Sequence, residues 1–120
     1  MSDIKLPHNH SDNPFSDISN IPDGALFQAA ADILKLLGDA SRIRIFWILC
    51  RCETCVINLS AMVDMSSPAV SHHLRQLKDA GLVSSRREGK EMYYTAASSP
   101  EADLLHHTIE KMLQISCPAT

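Results

Sequence analysis

Residues 66–81 of the chain read SSPAVSHHLRQLKDAG. A serine just before a proline favours a helix start, since the N–H that proline lacks would have no partner in the first turn. The apolar residues Val70, Leu74 and Leu77 then recur at spacings of four and three, which places them on one helix face. Gly81 suits the left-handed residue that ends many helices. The stretch therefore predicts an amphipathic helix with one buried face.

The segments on either side of this helix complete a compact unit. Upstream, Thr54 is expected to cap a short third helix with several apolar side chains. Downstream, residues 82–87 and 91–96 contain Val and Tyr and are joined by Glu88-Gly89-Lys90, which is typical of strand, turn and strand. Two short helices joined by a tight turn and followed by a hairpin predict a winged helix-turn-helix, a DNA-binding unit.

The remaining sequence predicts an arm and three more helices. Residues 1–22 hold three prolines among many Ser, Asn and Asp residues and show no apolar period, which predicts a mobile arm. Apolar periods predict helices over about 23–37, 41–50 and 98–115, the last of them with a capping box that begins at Ser98. The expected fold class is mainly α with a small β-hairpin wing, in one dimeric winged helix-turn-helix domain over 23–117.

Composition limits the classes of function. Hydrophobic residues make up 45% of the chain and aromatic residues only 5%, which suits one helical core. The net charge is −3, yet residues 67–93 hold five basic and three acidic side chains, so the acidity lies outside the predicted wing and central helix. Neither a leader sequence nor an apolar run long enough for a bilayer stands out, which predicts a cytoplasmic protein with no membrane partner. Since no nucleophile–base pair stands out either, we do not expect an enzyme.

The polar face of the central helix provides the candidate DNA contacts. If the apolar residues face the core, then hydroxyl, imidazole, guanidinium and amide groups face outward, where they can reach base edges or phosphates. Basic residues on the hairpin can reach phosphates or the minor groove. The predicted DNA-binding residues are Ser67, Pro68, Ser71, His72, Arg75, Gln76, Lys78, Arg86, Arg87 and Lys90. The pattern alone also allows a merely solvated helix face beside a charged hairpin.

Three segments resemble the ArsR/SmtB family of winged-helix repressors: LGDASRIRI at 37–45, SPAVSHHL at 67–74, and GLV with GKEMYY at 81–94. The resemblance covers about residues 25–115, in order. It implies a homodimer held together by the first and last helices, bound to a palindromic operator in double-stranded DNA and released by an inducer, usually a metal ion. It also implies that the family's DNA-facing positions are occupied here by Ser67, Pro68, Ser71 and His72.

Four cysteines are candidate soft metal ligands: Cys50, Cys52, Cys55 and Cys117. In Cys52-Glu53-Thr54-Cys55, the gap of two residues lets both sulfurs reach one ion. Cys55 is expected in the first turn of the third helix, where the helix dipole favours a thiolate. Many family members carry a cysteine at the position of Cys55 within a Cys-x-Cys pair, whereas Ile57 stands in place of the second cysteine here.

Two thiolates need a further ligand, and the sequence offers several. Cys117 is the third predicted metal ligand beside Cys52 and Cys55, and His8 or His10 of the arm is the alternative. Cys50 is expected in the core. His106 and Glu110 lie one helical turn apart and could bind a metal, although a solvated polar face is the simpler interpretation. The zinc site that some family members carry on the last helix is missing, because its positions hold Ser98, Pro100, Lys111 and Gln114.

The function expected from the sequence is that of a repressor released when Zn, Cd, Pb or trivalent As binds cysteine thiolates. An alternative keeps the fold and changes the signal to a disulfide or persulfide between Cys52 or Cys55 and Cys117. A third possibility is an architectural DNA-binding protein that responds to no inducer.

Overall fold

The computed structural model describes residue 7 and residues 21–116, with side chains through residue 114. The elements are α1 (Gly24–Leu36), α2 (Ala40–Leu49), β1 (Thr54–Cys55), α3 (Val56–Val63), α4 (Ser67–Asp79), β2 (Val83–Glu88), β3 (Glu91–Ala96) and α5 (Pro100–Ser116). The predicted class, mainly helical with a small wing, is confirmed. The predicted arm lies largely outside the described residues, as do His8, His10 and Cys117. Within the described part, no helix is long and apolar enough to span a bilayer.

The chain divides into two units, Met1–Asp32 and Ile33–Thr120. In the first unit, Asp23 precedes α1 and accepts hydrogen bonds from the backbone N–H groups of Ala25, through Oδ1, and Leu26, through its carbonyl oxygen. Leu26 and Phe27 leave more than half of their surface exposed. The second unit holds all the remaining elements and the hydrophobic core.

The core lies between α2 and α4. Each helix contributes three buried side chains, which are Ile45, Phe46 and Leu49 on α2 and Val70, Leu74 and Leu77 on α4. The apolar face predicted for the central helix is therefore confirmed. Burial of such side chains contributes about 1.5–3 kcal/mol each, so these two helices fix the framework on which the polar face is displayed.

The caps of α4 agree with the sequence signals. Ser66 Oγ accepts a hydrogen bond of 3.3 Å from the N–H of Ala69, and Pro68 lies in the first turn. At the other end Gly81 has a φ of 78°, a left-handed conformation that a Cβ atom would oppose. The turn between α3 and α4 uses Asp64, whose φ of 54° reverses the chain direction.

The wing is a three-stranded antiparallel sheet in the order β1-β3-β2, where the sequence predicted only a hairpin. Thr54 pairs with Tyr94 and Cys55 with Tyr93. The prediction that Thr54 caps the third helix is therefore wrong: Thr54 is buried in the sheet, and Cys55 precedes the helix instead. A two-residue strand is too short to show alternation, and its partner lies about forty residues away.

The start of α5 also differs from the prediction. Ser99, not Ser98, caps the helix, because its Oγ accepts a hydrogen bond of 3.1 Å from the N–H of Ala102. The helix begins at Pro100, so the third helical residue is Ala102 and no capping box forms. The two serines are adjacent, and only the backbone conformation decides between them.

Candidate nucleic-acid interface and thiol segment

The outward face of α4 is accessible along its length. Its buried side chains all lie on the opposite face, toward α2 and α3. Five of the predicted DNA-binding residues on this helix are exposed, and Ser71 and Gln76 are partly buried. The exposed five are Ser67, Pro68, His72, Arg75 and Lys78. Arg75 makes no hydrogen bond or ion pair within the described part of the chain. The face therefore presents one unengaged guanidinium near its centre.

Two of these residues already make contacts inside the protein. The amide Oε1 of Gln76 accepts a hydrogen bond of 2.8 Å from Arg42, which also donates to the carbonyl oxygen of Leu36. Ser67 Oγ lies 3.3 Å from Ser60 Oγ. Since the Ser60 hydroxyl donates to a backbone carbonyl, Ser67 is the donor in this pair. One lone pair of Gln76 Oε1 is thus already used, and Ser67 can offer DNA only its oxygen lone pairs.

The wing is joined to α4 by Lys78. Its Nζ donates a hydrogen bond of 2.6 Å to Ser85 Oγ on β2. At the tip, the Arg87 side chain donates to the carbonyl oxygen of Gly89 at 3.2 Å, and Gly89 has a φ of 64°. Lys90 is exposed beside it. Arg87 and Lys90 form no ion pair with any residue that the structure describes, so both charges are available at the tip.

Arg86, in contrast, is fully engaged. Its Nε and one terminal nitrogen donate to both carboxylate oxygens of Glu53 at 2.6–3.0 Å, and the other terminal nitrogen donates to Glu88 at 2.8 Å. The guanidinium also stacks over the ring of Tyr93, 4.9 Å from its centroid. These hydrogen bonds from Arg86 lower the pKa of Glu53 below its usual value. Sequence reasoning missed Glu53, because only the pairing of β1 with β3 brings it to the wing.

The described cysteines are all free thiols, but they have different surroundings. Cys52 is exposed, in the loop before β1. Cys55 is half-buried and precedes α3, where its side chain makes no capping hydrogen bond. It therefore lies immediately before the first turn of the helix and not within it. Cys52 and Cys55 flank Glu53 and Thr54; these four residues are called the thiol segment below.

Cys50 is the residue at the C-terminal end of α2, outside the thiol segment. It is half-buried and lines a cavity of about 200 Å³ together with Asp103 and His106. Burial, reinforced by the carboxylate of Asp103, raises the pKa of the Cys50 thiol to about 11. At neutral pH this thiol stays protonated, which makes it a poor nucleophile.

His106 and Glu110 form part of a link between helices. Their Nε2 and Oε1 atoms lie 3.3 Å apart, but Glu110 Oε1 also accepts hydrogen bonds from Trp47 Nε1 and from Arg51. The hydrogen bond from Arg51 is the main reason why the pKa of Glu110 is lowered. This carboxylate thus joins α2 to α5. Among residues 21–116, no three His, Cys, Asp or Glu side chains lie close enough together to share a metal ion.

An apolar surface remains open on α5. Leu104, Met112 and Leu113 are exposed, and Leu113 lines a groove of about 360 Å³ between α2 and α5 with Trp47 and Ile109. Exposed apolar surface of this kind on a small protein is typical of an interaction site.

Comparison with known proteins gives matches over most of the described chain. The family model described as "Bacterial regulatory protein, arsR family" matches residues 39–85. A biofilm growth-associated repressor of Agrobacterium fabrum is 34% identical, over 84% of this chain and 86% of its own length. A homolog of the cadmium resistance regulatory protein CadC, from Staphylococcus aureus, is 38% identical over 54% of each chain, so this chain spans about half the length of that relative.

A solved structure shares the fold. The homodimeric winged helix-turn-helix DNA-binding domain of a possible ArsR-family transcriptional regulator from Mycobacterium bovis superimposes with a TM-score of 0.69. It is 27% identical, and the match covers 82% of this chain and 92% of that one.

Proposed function

The chain belongs to the ArsR/SmtB family of DNA-binding transcriptional regulators, and we propose that it is a repressor that leaves a palindromic operator when its thiol segment binds a thiophilic metal ion. As the sequence predicted, the family consists of regulators and not of enzymes. The observation that carries the proposal is the position of the thiol segment. Cys55 lies on β1, the edge strand of the wing, and Cys52 lies in the loop just before that strand.

DNA binding is assigned to α4 and the wing. The exposed face of α4, with Arg75 unengaged at its centre, fits a major groove, and the free charges of Arg87 and Lys90 fit phosphates beside it. Arg86 is assigned a different role, because Glu53 and Glu88 already hold its guanidinium. In a symmetric dimer, two copies of α4 would lie about one DNA turn apart, ~34–36 Å.

A homodimer through the first and last helices supplies this symmetry. Both helices carry apolar side chains that nothing in the described protomer covers, Leu26 and Phe27 on α1 and Leu104 and Met112 on α5. A second copy of the chain would cover such surface on each helix and remove it from water. The Mycobacterium bovis relative is described as homodimeric.

Metal binding is assigned to the thiolates of Cys52 and Cys55, with Cys117 as the third ligand. Two soft sulfur donors suit Zn, Cd, Pb or trivalent As, and one relative is named for cadmium resistance. Cys52 is exposed, and the Cys55 side chain is not used as a helix cap, so both sulfurs can turn toward an ion. Cys117 lies beyond the described residues. The protonated Cys50 thiol is left out of the site.

A thiol-redox signal is the second candidate. The exposure of Cys52 favours it, because an oxidant reacts with sulfur that it can reach. A disulfide or persulfide would then replace the metal, with the same output at the wing.

One titration tests the function. The full chain is bound to a fluorescent duplex that it has selected from a random-sequence library. DNA release and ultraviolet thiolate-to-metal charge transfer are then followed together with Zn²⁺, Cd²⁺, Pb²⁺ and arsenite. Cys52→Ser combined with Cys55→Ser should abolish both signals, whereas Cys50→Ser should keep both. Release that survives the double substitution would refute the metal site. Release by an oxidant in the presence of a strong chelator would replace it with the redox signal.

A further inference from the structure

A row of three residues crosses the wing sheet from the thiol segment to the basic strand. Cys55 on β1 is paired with Tyr93 on β3, and Tyr93 is paired with Arg86 on β2. Residues directly opposite one another in neighbouring antiparallel strands project from the same face of the sheet. The guanidinium of Arg86, stacked over the Tyr93 ring, agrees with this arrangement. The candidate ligand Cys55 and the basic strand therefore share one face, with a single aromatic ring between them.

Glu53 makes a second connection between the thiol segment and Arg86. It lies two residues before Cys55, within the thiol segment, and holds Arg86 through both carboxylate oxygens. A bidentate pairing of arginine with carboxylate is sensitive to small displacements, because two parallel hydrogen bonds must be kept at once. Any change that moves the backbone between Cys52 and Cys55 also moves the Glu53 carboxylate.

We propose that the Glu53–Arg86 ion pair is the contact through which a change at Cys52 and Cys55 reaches the DNA-binding wing. The inference rests on the proposed function and assigns Glu53 as the residue that positions the wing for DNA binding. Glu53 holds Arg86, in the half of β2 nearer the hairpin turn, in the conformation that presents Arg87 and Lys90. When both thiols are ligated or modified, Glu53 withdraws, and Arg86 is left with Glu88 on its own strand. β2, which carries Arg87 and leads into the turn with Lys90, then loses its side-chain connection to the thiol segment.

The exposure of the pair suits this task. The Arg86 and Glu53 side chains remain 50% and 36% exposed, and ion pairs in contact with water contribute little to the stability of a fold. Breaking the pair therefore leaves the core intact and releases β2 near Arg86 from the thiol segment. A buried pair could not be opened so readily, since it would leave an unpaired charge inside the protein.

Glu88 provides a matched control. It binds the same guanidinium at 2.8 Å and carries the same charge, but it lies on β2 and outside the thiol segment. Glu88→Gln and Glu53→Gln each remove one carboxylate from Arg86. Only the second removes the connection to the cysteines.

The first experiment needs neither metal nor DNA. In a chain carrying Cys50→Ser and Cys117→Ser, the Arg86 Nε–Hε resonance is observed by NMR before and after iodoacetamide alkylates Cys52 and Cys55. We expect alkylation to shift this resonance and to speed up the exchange of the Hε proton with water. In the same chain with Glu53→Gln added, alkylation should have neither effect. A resonance that does not respond to alkylation in the chain with Glu53 would overturn the link.

The second experiment measures DNA affinity with and without Cd²⁺, using the selected duplex. Cd²⁺ should lower the DNA affinity of wild type and of Glu88→Gln by the same factor. In Glu53→Gln, that factor should be smaller by about fivefold or more. An undiminished response in Glu53→Gln, or an equal reduction in both variants, would overturn the link. If wild type does not respond to Cd²⁺ at all, the metal signal of the proposed function fails, and the alkylation experiment still decides the link.

Discussion

Trp47 and Glu110 are joined by a hydrogen bond of 3.0 Å from the indole Nε1 to Oε1, which ties α2 to α5. Arg51 stacks over the same indole ring, 4.4 Å from its centroid, and donates to the same carboxylate oxygen. A helix that contributes three buried side chains to the core is thus connected through one carboxylate to the helix that offers the open apolar surface. Because these hydrogen bonds favour the charged form, the pKa of Glu110 lies below its usual value.

Acid should weaken this connection. A carboxyl group whose pKa is lowered by folding stabilises the protein fully above its unfolded pKa, about 4.5, and loses that contribution as the pH falls through the folded pKa. We expect Glu110→Gln to lower the urea midpoint at about pH 6, and the difference from wild type to shrink toward zero at about pH 3. Glu101→Gln, an exposed carboxylate on the same helix, serves as control. A pH-independent difference for Glu110→Gln would contradict the assignment.

Arg75→Ala should weaken DNA binding through the exposed face of α4. The side chain is exposed and makes no hydrogen bond or ion pair with other described residues, so its removal should leave the fold unchanged. The binding free energy for the selected duplex should fall by about 1–3 kcal/mol if the guanidinium reads a base. If the guanidinium contacts a phosphate, the slope of log affinity against log salt concentration should decrease by about 1. Lys111→Ala removes a positive charge from exposed α5 and is the matched control. Equal losses in both variants would point to unspecific charge attraction.

The local signals in the sequence were enough to predict the central helix of the helix-turn-helix. Ser66 and Pro68 mark the start of α4, Gly81 follows its end, and the apolar spacing sets the buried face. These features depend on neighbours within a few residues, so a single sequence displays them. The resemblance of the segments at 37–45, 67–74 and 81–94 to a known family added the predicted homodimer and operator, which no periodicity could supply.

The contact between Glu53 and Arg86 could not be predicted in the same way. The two residues are 33 positions apart, and they meet only because β1 joins the edge of the hairpin. The sequence placed Thr54 at a helix cap, where a Thr is also favourable, and so placed Cys55 within the helix. Because this strand pairing was not predicted, neither was the carboxylate that binds Arg86, and the contact of Arg86 with DNA stays a prediction. The burial of Thr54, at 5% exposure, is a tertiary effect that overrides its capping preference.

The dimer interface can be tested by comparing two leucine-sized residues of equal exposure. Leu104 on α5 and Ile57 on α3 are both 66% exposed in the described protomer. If α5 forms the interface, Leu104→Asp should place a charge in an apolar contact and shift the chain toward monomer, while Ile57→Asp should leave the dimer intact. Sedimentation equilibrium measures the two association constants. Dimers of equal strength would assign the interface to another surface.

The thiols should differ in reactivity in the order of their exposure and charge state. Iodoacetamide attacks the thiolate, and a thiol with a pKa of about 11 is only about 0.1% ionised at about pH 8. We therefore expect mass spectrometry of peptides to show Cys52 alkylated first and Cys50 last, with the rate at Cys50 still rising as the pH approaches about 11. Asp103→Asn should raise the Cys50 rate at about pH 8, because it removes the carboxylate that opposes the thiolate. Alkylation of Cys50 at the same rate as Cys52 in the folded protein would contradict both its burial and its raised pKa, and would return it to the set of candidate metal ligands.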